Sequence, residues 1–478
     1  MVENKIKSSI SLIRHLLEPS SIAVIGASRE PGKVGYSIVK NLLDGGFKGK
    51  IYPINPTAPE ILGLPCYKNV KEIPENVDTA LISIPARFVV DAIKDCGEKG
   101  VPVVTIISAG FAEIGEKELQ KNLVETAHKY GVRIVGPNTF GVYRPSKGMS
   151  ATFCVPYEYA GGLALTCQSG GVGMGILGYA RSRRVGLSAL IGFGNKCDVN
   201  EIDVLEYFAQ DEQTKAIALH AESIIDGRRF IDVASRVTKI KPIVLLKAGR
   251  TSYGFKAASS HTAAIGGLDQ IVDAAVKKAG VIRAKGLEEF FELGRALAML
   301  PKPKGENVLI VTGAGGLGVL LADACEEQGI KLMDIPKDLE EKFRKYIPPF
   351  GSFKNPVDIT GASPPETYKD CIDLAIRDER VHGVIVGYWH TLITSPMDFA
   401  KVVIEVVKDA RKDGIEKPIV VSLSGDVEVE EAAKLLEDNC ILAYPYAPEK
   451  AVTAIASVFR WAKYAGNALH GLWWRRRL

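Results

Sequence analysis

Length, composition and charge are those of a globular protein with several domains. The chain has 478 residues, of which 46% are hydrophobic and 24% are charged. A chain of this length accommodates about two to four domains, each large enough to bury its own core. The formal net charge of +4 comes from 60 basic and 56 acidic residues. Such an even balance does not favour nucleic acid or a membrane surface as a partner.

Cysteine usage and the two ends of the chain indicate a cytoplasmic protein. Eight cysteines are scattered without a Cys-x-x-Cys pair, which is typical of reduced core thiols, and we predict no metal site. The opening residues, MVENK, do not resemble a signal peptide, and no apolar run approaches transmembrane length. The basic, aromatic residues 472–478 are interpreted as a frayed terminus rather than an interaction tail.

Three stretches repeat one pattern, in which an apolar strand is followed by a glycine turn and a helix. They cover residues 21–28, 163–171 and 307–316. Strand-like and helix-like patterns alternate after each of them, which predicts parallel, doubly wound α/β domains. We expect domains over residues 1–145, 146–302 and 303–478, with the second boundary in the Pro/Lys-rich linker 300–305.

The first third of the chain offers a candidate site for a phosphorylated ligand. Further strands are predicted over residues 50–55, 79–84 and 103–107, and their turns should share the carboxyl edge where ligands bind. The loop GASREPGKVG, residues 26–35, combines glycine turns, a helix start and the cations Arg29 and Lys33. It is not a P-loop, because Val34 stands where Ser or Thr would hold magnesium. A plain strand-to-helix turn is the alternative interpretation.

The middle third carries a second glycine-opened helix, a carboxylate and a histidine. Residues 168–173, QSGGVG, open a helix directly after a strand, and bare amides there attract an anion. Glu222 ends the predicted strand 216–223, and His261 lies in the small-residue stretch 249–267 after the strand 242–247. Both side chains can face one edge, where a carboxylate fixes the tautomer of an imidazole. The alternatives are an ordinary edge-of-sheet acid and a solvated loop histidine.

The last third of the chain contains a glycine fingerprint that supports a different function, dinucleotide binding. Residues 313–318 fit Gly-x-Gly-x-x-Gly, and Asp334 follows at roughly the spacing of a ribose-binding acid. These features are those of a nicotinamide-dependent dehydrogenase, although a glycine-opened helix binds bare phosphate equally well. The segment 355–361, NPVDITG, either shapes a site or is ordinary turn punctuation.

Several motifs together resemble one family, the alpha subunit of the ADP-forming acyl-CoA synthetases (acetate–CoA ligase, ADP-forming), which is related to the succinyl-CoA synthetase alpha subunit. The resemblance covers roughly residues 12–465. The motifs are Ile25-Gly26-Ala27-Ser28, Tyr52-Pro53-Ile54-Asn55-Pro56, Gly136-Pro137-Asn138, Gln168-Ser169-Gly170-Gly171, Gly194-Asn195-Lys196, Ser259-Ser260-His261-Thr262, Thr312-Gly313-Ala314-Gly315-Gly316 and Asn355-Pro356-Val357-Asp358.

The resemblance implies a fold and a set of functional residues. It implies a Rossmann-type CoA-binding domain followed by two flavodoxin-like CoA-ligase domains, with His261 as a phosphohistidine supported by Glu222. Asn138 and Thr139 would belong to the acyl pocket. The residues implied to cradle phosphate at two helix N-termini are Ser169, Gly170, Gly171, Gly313, Ala314, Gly315 and Gly316. The residues implied to bind CoA are Gly26, Ala27, Ser28, Lys33, Val34, Asn55, Pro56, Ile84, Pro85 and Ser108.

The resemblance also implies a reaction and a partner. Acyl-CoA, phosphate and ADP would give acid, CoA and ATP through an acyl phosphate and a phosphohistidine. ADP or ATP with Mg²⁺ would bind to an ATP-grasp beta subunit in an alpha2beta2 heterotetramer. A CoA-sensing module without catalysis is the alternative, and the retention of His261 and both glycine-opened helices argues against it.

The chain departs from the family pattern at two places. Thr139 and Phe140 replace the Cys-Leu of many members, and we expect this difference to alter the acyl pocket. Many members read Tyr-x-Glu where this chain has Leu219-His220-Ala221-Glu222. His220 is either a second polar group at the site or a surface residue, and we expect it to be a surface residue.

Overall fold

The computed structural model describes residues 2–254, 256 and 269–470, and it builds three main sheets from alternating strands and helices. The strands are β1 Ser21–Ile25, β2 Lys50–Ile54, β3 Glu60–Ile61, β4 Leu64–Pro65, β5 Thr79–Ile82, β6 Val103–Ile106, β7 Arg133–Val135, β8 Gly141–Arg144, β9 Met149–Thr152, β10 Ala160–Cys167, β11 Leu187–Gly192, β12 Ala216–Ala221, β13 Ile243–Lys247, β14 Ile282–Arg283, β15 Asn307–Thr312, β16 Lys331–Leu332, β17 Val357–Asp358, β18 Gly383–Trp389, β19 Ile419–Ser424 and β20 Leu442–Pro445.

The helices follow the strands as the sequence pattern predicts. They are α1 Val2–Leu17, α2 Val34–Asp44, α3 Val89–Lys99, α4 Lys117–Lys129, α5 Gly170–Ser182, α6 Glu201–Gln210, α7 Gly227–Val237, α8 Asp269–Lys278, α9 Leu287–Met299, α10 Gly315–Glu327, α11 Lys337–Phe343, α12 Pro365–Arg377, α13 Pro396–Lys412, α14 Glu428–Asp438 and α15 Pro448–His470. Within the part of the chain that the structure describes, no helix combines the length and apolar character needed to cross a bilayer.

The chain divides into two structural units. The first, Met1–Gly294, contains a five-stranded and a seven-stranded sheet, and the second, Arg295–Leu478, contains a six-stranded sheet. The predicted α/β class with sheets dominated by parallel pairing is therefore confirmed. The domain boundaries near residues 145 and 302 stay predictions.

The first sheet is fully parallel and has the strand order β2-β1-β5-β6-β7. All five residues of β1 are buried, because helices cover both faces of a parallel sheet. The chain runs from β1 to β2 on one side and later returns to β5 on the other. That reversal opens a crevice beyond the carboxyl ends of β1 and β5, which is where ligands bind in such sheets.

The second sheet has the order β14-β13-β12-β10-β11-β8-β9. Strands β10 to β14 are parallel, and their order reverses between β10 and β12, where Cys167 pairs with His220. Strands β8 and β9 form an antiparallel hairpin on the edge, which the sequence pattern does not predict. Its short connection ends at Gly148, whose φ of 63° lies in the left-handed region that favours glycine.

The third sheet has the order β16-β15-β18-β19-β20, with the short β17 also pairing with β15. The Asn355 side chain accepts a hydrogen bond from the Ile310 amide and donates to the carbonyls of Val308 and Met333. It thereby satisfies backbone groups of β15 and of the β16 end. This use of Asn355 agrees with the punctuation interpretation of residues 355–361.

Candidate functional site

A cavity of ≈ 760 Å³ lies in the first unit, where loops at the carboxyl ends of the first and second sheets meet. The first sheet contributes the loops after β5, β6 and β7, and the second sheet contributes the loops after β10, β11 and β12. The predicted site residues that line the cavity are Val34, Ile84, Ser108, Asn138, Thr139, Ser169, Gly170, Gly171 and Glu222. The structure thus brings together members of the predicted CoA, acyl and phosphate sites with the predicted acid.

The loop after β1 packs tightly against its neighbours at the switch point of the first sheet. A Cβ atom on Gly26 would lie 2.7 Å from both Cγ2 of Ile84 and the carbonyl oxygen of Ser83. A Cβ atom on Gly35 would lie 1.9 Å from the carbonyl oxygen of Gly26. This close approach places the first turn of α2 against the loop. Lys33 at the N-cap makes no side-chain capping bond, so the first amides of α2 stay available to an anion.

Other residues predicted to bind CoA shape the loops rather than the cavity wall. Asn55 donates a 2.8 Å hydrogen bond to the Ala27 carbonyl and accepts from the amides of Thr57 and Ala58. Its side chain therefore joins the ends of β1 and β2. The predicted residues at this edge that do not line the cavity are Gly26, Ala27, Ser28, Lys33, Asn55, Pro56 and Pro85.

The predicted acyl-pocket residues follow β7. Asn138 adopts a left-handed φ of 58°, and its backbone amide donates a 2.9 Å hydrogen bond to the Ser108 carbonyl. A strained backbone of this kind is common at functional sites. Thr139 is buried, and its hydroxyl donates a 2.7 Å hydrogen bond to the carbonyl of Gly192. The hydroxyl of Thr139 is thus occupied by the backbone of β11.

Glu113 and Asn195 also line the cavity, and sequence reasoning assigned a role to neither. Asn195 donates hydrogen bonds to the carboxylate of Glu113 and, at 2.9 Å, to the side-chain oxygen of Gln120. Burial tends to raise the pKa of Glu113, but hydrogen bonds from Asn195 and from the backbone amides of Gly110 and Phe111 outweigh it and lower that pKa. The motif Gly194-Asn195-Lys196 was a signal for Asn195, whereas Glu113 lies in the short 3-10 helix Ala112–Ile114, which carries no motif.

The first predicted phosphate cradle is the N-terminus of α5. Ser169 is the N-cap, and its hydroxyl accepts a hydrogen bond from the Val172 amide at 3.5 Å. Gly170 and Gly171 are exposed and line the cavity, and a Cβ atom on Gly171 would meet no atom within 4 Å. Open space in front of bare helix amides suits an anion such as phosphate.

Glu222 lies beside this cradle in the turn that follows β12. The side-chain oxygen of Gln168 accepts hydrogen bonds from the amides of Glu222 at 2.9 Å and Ser223 at 3.3 Å. Gln168 directly precedes the cradle in sequence, so its side chain ties the Glu222 turn to the helix start. The cradle and the acid therefore form one rigid group at the switch point of the second sheet.

The expectation that His220 is a surface residue is wrong, because its exposed fraction is 4%. Its ring contacts the Sγ atom of Cys167 at 3.4 Å, behind the cradle on the central strand β12. Burial, with the charges of Lys196 and Lys247, lowers the pKa of His220 to about 4. A central strand of a parallel sheet is covered on both faces, so a polar residue in β12 is buried as well.

The second predicted cradle, Gly313, Ala314, Gly315 and Gly316, belongs to the second unit. Helix α10 begins at Gly315, and Ala314 at its N-cap makes no side-chain capping bond. A Cβ atom on Gly315 would lie 2.8 Å from a carboxylate oxygen of Asp358, and one on Gly313 would lie 1.8 Å from the hydroxyl of Tyr368. The glycines here permit close packing around the helix start. His261 lies outside the described residues.

Comparison with known proteins identifies the family. A CoA binding domain matches residues 20–145, a succinyl-CoA ligase like flavodoxin domain matches 160–297, and a Ligase-CoA domain matches 308–469. The chain is 46% identical over 456 residues to the acetate–CoA ligase [ADP-forming] I subunit alpha of Pyrococcus furiosus, covering 94% of this chain and 97% of that protein.

This chain belongs to the alpha subunits of the ADP-forming acyl-CoA synthetases. The predicted family, the enzyme class of acid–thiol ligases and the order of a CoA-binding domain before two CoA-ligase domains are confirmed. The Gly-x-Gly-x-x-Gly fingerprint therefore belongs to a Ligase-CoA domain, which argues against the dehydrogenase alternative.

Two further relatives extend the comparison for this synthetase subunit. It is similar to a solved acetyl-coenzyme A synthetase 1 of Ca. Korarchaeum cryptofilum in complex with phosphate and ADP, with a TM-score of 0.93 and 40% identity over 97% of this chain and 99% of that one. It is 41% identical to the acetate–CoA ligase [ADP-forming] of Methanocaldococcus jannaschii, covering 94% of this chain and 63% of that protein.

Proposed function

We propose that this subunit converts acyl-CoA and inorganic phosphate into free acid and CoA, and passes the phosphoryl group on to ADP with a partner subunit. Acetyl-CoA is the proposed substrate. The observation that carries the proposal is the cavity that joins the CoA loops at Ile84 and Ser108 with the phosphate cradle at Gly170 and with Glu222. The three predicted domains would divide this work, with CoA bound to the first and phosphate handled by the other two.

The first step is attack of phosphate on the thioester. A phosphate oxygen bonds to the carbonyl carbon, the C–S bond breaks, and CoA leaves as a thiolate with the bonding electron pair. The exposed amides of Gly170 and Gly171 at the positive end of α5 face the phosphate charge. Preorganised dipoles of this kind stabilise the transition state because they need no rearrangement during the reaction.

The second step transfers the phosphoryl group to His261. A neutral imidazole nitrogen attacks the phosphorus of the acyl phosphate, the bond from phosphorus to the acyl oxygen breaks, and the acid leaves as a carboxylate. Imidazole suits this role because it is neutral and nucleophilic near pH 7. Glu222 is the proposed partner of the ring, since a carboxylate hydrogen bond fixes its tautomer.

The third step transfers the phosphoryl group from His261 to ADP, and it requires a nucleotide site on another chain. The Pyrococcus relative is named as an alpha subunit, and this chain spans 63% of the longer Methanocaldococcus relative. We infer a separate ATP-grasp beta subunit that holds ADP with Mg²⁺, in an alpha2beta2 assembly. The start of α10 at residues 313–316, which has no side-chain cap, is the proposed second phosphate cradle.

Labelled phosphate tests the proposal directly. The complex of this chain with its beta subunit is incubated with acetyl-CoA and labelled inorganic phosphate, without nucleotide. We expect acid-labile, base-stable label that mass spectrometry maps to His261. Absence of label with acetyl-CoA and with a panel of other acyl-CoAs would contradict the proposal. If CoA still bound under those conditions, the CoA-sensing alternative would replace it.

A further inference from the structure

Two buried lysines lie behind the Glu222 turn, and the steps above give them no task. Lys196 and Lys247 are 2% and 7% exposed. The ammonium group of Lys247 donates a 2.7 Å hydrogen bond to the carbonyl of Glu222, and that of Lys196 donates to the carbonyl of Ser223. Gln168 already binds the two amides of these residues. All four backbone groups of the turn are thus held by side chains.

Lys247 also connects this turn to a second strand end. Its ammonium group donates a 2.6 Å hydrogen bond to the carbonyl of Ala248, whose amide donates to the carbonyl of Ala221. Lys247 is the last residue of β13, and the segment that contains His261 follows Ala248 in the chain. One ammonium group therefore ties the strand end that carries Glu222 to the strand end that leads towards His261.

Burying two ammonium groups to hold one turn carries a free-energy penalty, because each loses its hydration. Lys196 forms a 2.9 Å ion pair with the buried Glu201, and its own backbone adopts a left-handed φ of 54°. The Lys247 ammonium group donates its hydrogen bonds to two backbone carbonyls, and the charges of Asp269 and Glu222 also act on it. Burial lowers the pKa of Lys247, as expected for an ammonium group removed from water. A left-handed backbone at Lys196, in the turn after β11, and two buried ammonium groups against the Glu222 turn point to a functional requirement.

We propose that Lys247, supported by Lys196, is a positioning residue that fixes Glu222 for phosphoryl transfer. The inference rests on the proposed function, because the position of Glu222 matters only if its carboxylate acts on the phosphorylated group. Small displacements of a catalytic side chain lower the reaction rate strongly, because reacting atoms must be held in near-attack geometry. A rigid turn with every backbone group bonded meets that demand.

The chain supplies a matched control on the same strand. Lys241 precedes β13 at its opposite end, and its ammonium group donates to the carbonyls of Phe208, at 2.6 Å, and Asp211. Lys247→Met and Lys241→Met each remove an amine that binds two backbone carbonyls. A merely structural role predicts similar losses of thermal stability for both and no specific loss of phosphoryl transfer.

The test measures the rate of His261 labelling by acetyl-CoA and phosphate in the complex with the beta subunit, together with the thermal midpoint. We expect Lys247→Met to slow labelling by roughly 10- to 100-fold, while Lys241→Met labels at the wild-type rate. In the Glu222→Gln background, Lys247→Met should add little, because two residues that act through one group are not additive. If the methionine variant does not fold, Lys247→Gln takes its place.

Equal labelling rates for the Lys247 and Lys241 variants would overturn the inference, as would a full additive loss in the double variant. Either result leaves the proposed function intact, provided the wild-type complex is labelled on His261. A wild-type complex without label overturns both, so the two failures are distinguishable.

Discussion

The side-chain oxygen of Gln168 accepts a 2.9 Å hydrogen bond from the backbone amide of Glu222, across the switch point of the second sheet. Gln168 follows β10 and Glu222 follows β12, so the bond joins the ends of two neighbouring parallel strands. The bond consequently links the turn that carries the acid to the start of the phosphate cradle.

Gln168→Leu should weaken both folding and phosphoryl transfer. The substitution leaves the backbone amides of Glu222 and Ser223, which are half-buried, without their acceptor. An unsatisfied amide costs at most about 1–3 kcal/mol, the value for full burial. Gln168→Glu keeps an acceptor and serves as the control for folding stability. Urea unfolding and the rate of His261 labelling measure the two effects. Wild-type stability in the leucine variant would contradict the role given to Gln168.

Glu222→Gln should lower the yield of phosphoenzyme while the fold survives. The amide keeps the size of the carboxylate but loses the charge that would fix an imidazole. His261→Ala should abolish the phosphoenzyme completely. Quantitative mass spectrometry of the labelled complexes distinguishes the two variants. An unchanged yield in Glu222→Gln would make Glu222 a structural residue.

Replacement by alanine should affect phosphate binding at one glycine of α5 and folding stability at another. A Cβ atom on Gly171 meets no atom within 4 Å, so Gly171→Ala should fold normally and raise the KM for phosphate by placing a methyl group in the cradle. A Cβ atom on Gly173 would lie 2.7 Å from a ring carbon of Phe140. Gly173→Ala should therefore cost about 1–3 kcal/mol of stability through overpacking.

Thermal melting and phosphate titration of the labelling reaction separate the effects of the Gly171 and Gly173 variants. A lower melting temperature for Gly171→Ala with an unchanged KM for phosphate would contradict the assignment of the cradle.

His220 should make the protein sensitive to acid. Its pKa is lowered to about 4 in the folded protein, while the unfolded chain has the ordinary value near 6.5. As pH falls from 6.5 to 4 the unfolded state takes up the proton first, so about 3 kcal/mol of stability present above pH 6.5 is lost across that window. His220→Gln should flatten this part of the profile.

Urea unfolding of wild type and His220→Gln at pH 7, 5.5 and 4 measures this effect. As the pH falls, the unfolding free energy of wild type should decrease more than that of the variant. Parallel profiles would show that the buried ring does not control acid stability.

Asn355→Ala should destabilise the second unit. The side chain makes three hydrogen bonds, one with the amide of Ile310 and two with the carbonyls of Val308 and Met333. Losing them should cost about 1–3 kcal/mol, because the Ile310 amide and the Met333 carbonyl lose their Asn355 partner, whereas the Val308 carbonyl still accepts from the Met333 amide. Limited proteolysis should cut the second unit faster in the variant than in wild type. Unchanged cleavage would contradict this role of Asn355.

Local patterns in the sequence were sufficient for the fold class and the family. Apolar runs such as residues 307–312 and the glycines after them predict buried parallel strands and helix starts, because those features depend on neighbouring residues. The β8–β9 hairpin escaped prediction, since Gly141–Arg144 and Met149–Thr152 are too short to show a clear period. Glu113 also escaped prediction, because it reaches the cavity through a hydrogen bond with Asn195, which is distant in sequence, and belongs to no motif.

The sequence by itself determined which strands are buried, where helices begin at glycine turns and to which family the chain belongs. Each of these features depends on a short stretch of consecutive residues. Tertiary structure decided that Gln168 meets Glu222, that His220 is buried and that Lys247 ties two strand ends together. Those contacts depend on the order of strands in the sheet, in which β10 lies between β12 and β11. Strand order is a property of the packed chain, so no local pattern records it.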